Sequence, residues 1–243
     1  MIKNMQKNCL PILSLKIIQT ISRIINTKMF KIDKKKEPAL IHRKNISDAA
    51  NTLFISKGIT DTTMDNIAKL AGYSKATLYV YFENKEEIFF SLVYKHAKWL
   101  YETIEKIIQI QPSTQEEWQK NYLKICFALQ KLCENYPIYF DGMIGHINVD
   151  MTSKETPQVY RDIYQLGLDI NQLINKLIED GVHLNYLQTE LDFNRSTLFF
   201  WSALSGIIRM AENKKEYYHL LGLDNKTFLE EEFLTLLACY KKG

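Results

Sequence analysis

Residues 62–85 read TTMDNIAKLAGYSKATLYVYFENK. Thr63 is a good helix N-cap, and Met64, Ile67, Ala68 and Leu70 follow it at helical spacing. Ala71-Gly72 makes a tight turn. Ser74 caps a second short helix carrying Thr77, Leu78, Tyr79 and Phe82, and Asn84 with Glu87 three residues on signals a further one. Two short helices joined by a few residues with Gly in the turn read as a helix-turn-helix. In that arrangement the second helix offers short polar side chains and its own N-terminus to the major groove of DNA, braced by the first. Ser74, Lys75 and Thr77 stand at that N-terminus, where free N–H groups suit phosphate oxygens.

Upstream, Ile46, Ala49, Ala50, Leu53 and Phe54 recur on one helical face, which predicts a helix from about Leu40 to Lys57, stopped by Gly58. Arg43 and Lys44, early in that helix, are candidate phosphate partners on charge and position. Downstream, a long helix is expected from Lys85 to about Ile110. Further helices follow at about Gln115–Asn135, Pro137–Ile147, Pro157–Glu179, Phe193–Asn213 and Lys226–Lys241. The breaks fall at Pro137, Pro157, Gly181, the polar loop near Asn213 and Gly222. With 9 Gly and 5 Pro in 243 residues, an all-β chain is disfavoured. The expectation is an all-α protein in three parts. They are a basic extension (1–38), a three-helix DNA-binding unit (39–86) and an all-helical ligand-binding and dimerisation unit (87–243).

The stretch Ile46–Ile88 closely resembles the TetR/AcrR family of bacterial regulators. The likeness is carried by Ala49-Ala50, Leu53-Phe54, Gly58, Thr62-Thr63, Ile67-Ala68, Ala71-Gly72, Ser74, Thr77-Leu78-Tyr79, Tyr81-Phe82 and Lys85-Glu86. Ala76 departs from it, since the family often has Gly there, but Ala suits a helix better. The resemblance implies that Thr63 and Lys85 bind phosphates, that Lys75, Ala76 and Thr77 face base edges, and that Tyr79 and Tyr81 lean on the backbone or sugar. Leu78 and Phe82 read as core. It also implies a homodimer, operator DNA as the partner, and a small effector that shifts the spacing of the two reading helices. Release of the operator on effector binding would make the protein a repressor.

The sensor likeness is weaker. Phe193, Leu198, Phe199, Phe200, Trp201, Leu204, Ile207 and Ile208 make a helix apolar nearly all round. One side could meet a second subunit, with Phe199, Trp201, Ile208, Phe233 and Leu237 as candidates; the other reading is simple intramolecular core. Tyr101, Trp118, Tyr122, Phe127, Met143, His146, Tyr160 and Tyr164 are candidate walls for a moderately apolar effector, and core packing is the competing reading for each.

Charge is uneven. Residues 1–38 hold nine cations against two acids, a net +7, which leaves −4 for the remainder. A basic front suits a polyanion. Residues 10–30 are amphipathic but too short and charged to span a bilayer. They read as a membrane-surface helix, as an arm holding DNA, or as a segment upstream of a true start at Met29, and the last is favoured. The scattered cysteines (Cys9, Cys126, Cys133, Cys239) and histidines have no metal-ligand spacing, so neither metal nor cofactor is expected, and a reducing cytoplasm fits. No Gly-rich phosphate loop, nucleophile elbow or H-E-x-x-H motif points to an enzyme, and Glu230, Glu231 and Glu232 read as a solvated helix face.

Overall fold

The computed structural model describes residues 36–145, 150, 152–188 and 192–241. Residues 1–35, including the amphipathic stretch 10–30, lie outside the described residues, as does His146. The helices are α1 (Lys36–Lys57), α2 (Met64–Ala71), α3 (Lys75–Tyr81), α4 (Lys85–Ile108), α5 (Gln115–Asn135), α6 (Pro137–Ile144), α7 (Gln158–His183), α8 (Phe193–Asn213), α9 (Lys215–Leu220) and α10 (Asn225–Ala238). Short polar residues start them. The side chains of Thr63, Ser74, Asn84, Thr114, Asp192 and Asp224 each accept a hydrogen bond from the backbone N–H three residues on. Gly58 and Gly72 leave α1 and α2 with φ of 82° and 74°, the left-handed stop that favours glycine.

The apolar residues pack into two cores. The first gathers Ile46, Ala50 and Phe54 of α1 with Ile67, Leu78 and Phe82, and takes in Ile88, Phe89, Leu92 and Val93 of α4. The second holds Ala97, Leu100, Ile104 and Ile108 of α4 among α5, α7, α8 and α10. One helix thus serves both cores in succession. α6 adds a second tie. Its Tyr139 is fully buried in the first core and donates a hydrogen bond to Asn51 Oδ1 of α1 at 2.5 Å.

His96 of α4 lies against the rings of Tyr136 and Tyr139, at centroid distances of 4.1 and 4.8 Å. Burial lowers its pKa from the ordinary 6.5 to about 4, with a smaller push from Lys95. In the unfolded chain His96 takes up a proton near pH 6.5, while in the native state it resists until about pH 4. Stability is therefore lost as pH falls through that window. The full shift would be worth about 3 kcal/mol, which the ring's partial exposure cuts to about 1–2 kcal/mol. Urea unfolding of His96→Phe should show that fraction of the acid sensitivity gone; an unchanged slope between pH 6.5 and 4 would contradict it.

Several expectations need correction. Gly181 does not end α7, which continues to His183; Asn185, at φ 53°, makes the turn. Gly181 is there for packing. A Cβ on it would sit 2.7 Å from Leu187 Cδ1 and 2.9 Å from Trp118 Cε2. The polar loop near Asn213 contains the short helix α9, and α10 ends at Ala238 rather than near Lys241.

Three of the five candidate dimer residues, Ile208, Phe233 and Leu237, are sealed in the protomer's own core, and Trp201 packs against it. Phe199 alone of that group is well exposed. Among the candidate effector walls, Trp118 and Tyr122 are likewise core. Their rings stack at 5.8 Å, the Trp118 indole donates to the Leu177 carbonyl at 2.7 Å, and the Tyr122 hydroxyl donates to the Phe233 carbonyl at 2.8 Å. The space left beside them is about 10 Å³, too little for any organic ligand. Cys126 and Cys133 are buried free thiols whose pKa burial pushes up, that of Cys133 to about 11, which makes them unreactive.

Candidate nucleic-acid interface

α2 and α3 are short, so their orientation depends on caps and ties rather than on helix propensity. Thr63 Oγ1 accepts from Asn66 N and Asn66 Oδ1 accepts from Thr63 N, each at 3.2 Å. The turn after α2 is tied back to α1. The Tyr73 hydroxyl pairs with His42 Nδ1 at 2.7 Å and accepts from Asn45 Nδ2 at 3.2 Å. At the head of α3, Ser74 Oγ accepts from Thr77 N at 3.1 Å and pairs with the Thr77 hydroxyl at 2.8 Å. Leu78 is fully buried and Phe82 nearly so, which leaves Lys75, Ala76, Tyr79 and Val80 on the outer side of the helix.

The expected contact residues divide on geometry. Ser74, Lys75, Ala76 and Tyr79 are exposed together on or at the head of α3. Thr77 is half turned toward Ser74, and Tyr81 is half-buried beside His42. Lys75 reaches across to Asp65 of α2 at 2.9 Å, and that hydrogen bond raises its pKa.

Arg43 is half-exposed, with its guanidinium tied back onto the unit. Its guanidinium lies 4.1 Å over the Phe82 ring, donates to the Tyr81 carbonyl at 2.6 Å and sits 3.8 Å from Glu87. It caps the C-terminal end of α3, where a cation complements the helix dipole. Lys44 stays exposed and pairs with Asp48 one turn on, at 2.6 Å.

Lys85 has the same fate as Arg43. Its ammonium donates to the carbonyls of Ile59, Thr60 and Thr62 at 2.8, 3.0 and 2.9 Å, so all three hydrogens are used within the chain. In this geometry Lys85 pins the loop before α2 to the start of α4. Beside it, the first turns of α2 and α4 face one notch of about 320 Å³, floored by Met64 and Tyr79.

Val80 was missed. It is 76% exposed, on the same outer face as Ala76 one turn earlier. Its signal in the sequence is its place four residues from Ala76 and two from the buried Leu78 and Phe82, which puts an apolar side chain on the side that faces away from the core. Exposed Val80 and Ala76 put apolar side chains on the outer face of α3.

Among the described residues no group of three or more His, Cys, Asp or Glu could hold a metal ion, and no helix is long and apolar enough to cross a membrane.

Comparison with known proteins gives a consistent picture. Residues 46–92 match the family model described as bacterial regulatory proteins, tetR family. The chain is 30% identical over 194 residues to IcaR of Staphylococcus aureus, the negative transcriptional regulator of the biofilm operon icaADBC, spanning 74% of this chain and 97% of IcaR. It is 25% identical over 183 residues to the transcriptional regulator TtgR of Pseudomonas putida, spanning 73% and 83% of the two chains. Its fold matches that of SmeT, repressor of a Stenotrophomonas maltophilia multidrug efflux pump, in complex with triclosan. The TM-score is 0.62, with 20% identity over 83% of this chain and 92% of that one.

Proposed function

The chain belongs to the TetR family of bacterial transcriptional regulators, and on that footing we propose that it is an effector-responsive repressor whose α3 reads operator DNA in the major groove. The observation that carries the reading is the outer face of α3. Lys75, Ala76, Tyr79 and Val80 stand clear of the protein on a rod that Ser74, Arg43 and the Leu78–Phe82 contacts hold in place. A buried pair on one side and a tip of mixed chemistry on the other is what a base-reading helix needs. In the major groove the apolar feature is the thymine methyl, and Ala76 and Val80 are the side chains to meet it. Lys75 and Tyr79 supply polar contacts to base edges and backbone. The notch between α2 and α4 takes a phosphate, with Thr63 and the backbone N–H groups of the two first turns as donors.

Two copies would read two half-sites. The surface for pairing runs along α8, where Leu198, Phe199 and Met210 are exposed on either side of Gly206, beside which there is open space. Phe199→Asp should halve the mass seen in sedimentation and weaken operator binding at least tenfold, with the protomer still folded; an unchanged dimer would move the interface elsewhere. The relatives named as repressors, one of them holding triclosan, support repression relieved by a small molecule. The effector acts by favouring one setting of α4, and only through its difference in affinity for the two settings. The reading unit is residues 39–86, the remainder serves sensing and pairing, and the protein works in the cytoplasm.

Selection of bound duplexes from a random pool tests the proposal. The expected result is one enriched site with two-fold symmetry and half-sites a helical turn, about 34–36 Å, or a multiple apart. A pool that never enriches would remove the DNA-reading function.

A further inference from the structure

The space beside the candidate residues Trp118 and Tyr122 is filled, yet a cleft of about 530 Å³ runs along the outside of the C-terminal helices between α4 and α5. That size lies within the about 300–1,000 Å³ usual for small-ligand sites. Its floor is apolar. Trp99 and Ile107 of α4, two turns apart, face Leu123 and Phe127 of α5. Phe127, one of the expected effector residues, lines this cleft. Trp99 is 39% exposed, a large aromatic surface left facing water. One wall carries three lysines in a row along α5: Lys120, Lys124 and Lys131. Lys120 pairs with Glu116 on the solvent side at 2.8 Å, and Lys124 donates to Asn121 at 3.4 Å.

An apolar trough with a lysine-lined wall selects its occupant by chemistry. A small hydrophilic anion gains nothing from the floor, a neutral hydrocarbon gains nothing from the lysines, and a cation is repelled. We propose that this groove binds an amphipathic anion of the fatty carboxylate type. Its alkyl chain lies along the floor formed by Trp99, Ile107, Leu123 and Phe127, and its head lies against the lysine wall within reach of Lys124 and Lys131, since Lys120 is already paired with Glu116. From Trp99 to Ile107 the trough is about 12 Å long at the helical rise, which suits an extended chain of medium length. The site sits on α4, the helix that enters both cores, so a ligand wedged between α4 and α5 would bear directly on the α2–α3 unit. That consequence rests on the repressor reading above; the binding itself does not.

Decanoate, kept below its micelle concentration, is the probe, with 1-decanol and decyltrimethylammonium as controls of equal chain length. Decanoate should change the fluorescence of the full-length protein saturably, and Trp99→Phe should abolish that change while calorimetry still shows binding. Lys124→Gln combined with Lys131→Gln should weaken decanoate at least tenfold and leave 1-decanol unaffected. No saturable binding by either method, or equal binding of the three amphiphiles, would overturn the proposal. So would self-association that shields Trp99 from a quencher before any decanoate is added, since that gives the groove to a second copy. Saturable binding without release of a selected operator would uphold the site and count against fatty anions as effectors. A chain that selects no operator would sink the repressor reading and leave the groove result standing.

Discussion

Val80→Glu should reduce operator affinity at least 100-fold while leaving the fold and the dimer as they are. The side chain is 76% exposed, so a carboxylate there meets water in the free protein and costs little, within about 0.5 kcal/mol for such surface changes. On the proposed reading, the same position faces the groove in the DNA complex. The carboxylate would lose its water, forfeit the thymine contact and stand between two rails of phosphate. Together these are worth about 3 kcal/mol or more, since one good base contact alone accounts for about 1–3 kcal/mol. Val80→Thr keeps the branched methyl and should bind nearly as wild type, which separates chemistry from mere disturbance of α3. Anisotropy titrations on a selected operator, with thermal unfolding alongside, make the comparison. A Val80→Glu protein that still binds at wild-type strength would place this face of α3 away from the bases.

Trp118→Ala should unfold the protein at a temperature lower by about 6–20 °C. Trp118 is 1% exposed, stacked on Tyr122, edge-on to Tyr186, and bonded through its indole N–H to the Leu177 carbonyl. It also sits against Gly181, where no Cβ would fit beside it. Removing such a side chain costs about 3–5 kcal/mol, and each kcal/mol moves the midpoint about 2–4 °C in a chain of this size. Had Trp118 walled an effector cavity, the loss would fall on ligand response and spare stability. Thermal unfolding without ligand distinguishes the two, and a midpoint within two or three degrees of wild type would return Trp118 to the ligand site.

The DNA-reading unit was legible because its signals are local. Thr63, Ser74 and Asn84 cap helices wherever they precede an apolar run, and Gly58 and Gly72 stop them through a backbone angle that belongs to the residue itself. What was illegible depends on partners far along the chain. Arg43 looks like a phosphate contact by charge and position, and the resemblance implies the same of Lys85, but their partners at Tyr81, Glu87 and Ile59–Thr62 are set by the fold, and no spacing reveals them. The aromatic residues of the C-terminal helices recur at helical spacing whether they pack a core or line a cleft, so Trp118 and Phe127 read alike although one is sealed and the other borders the groove. The same holds for α8. It is apolar nearly all round, so periodicity could not say that Ile208 points inward and Met210 outward. Val80 escaped notice because an apolar residue is assigned to the core by default, although its register beside Leu78 already excluded that.

Methylation interference on a selected operator tests most directly whether α3 enters the major groove. Methyl groups at guanine N7 lie in the major groove and those at adenine N3 in the minor groove. The expected map shows N7 methylation blocking binding in two symmetric patches on one face of the duplex, with adenine N3 methylation silent beneath α3. Interference confined to the minor groove, or spread without pattern along the duplex, would contradict the account.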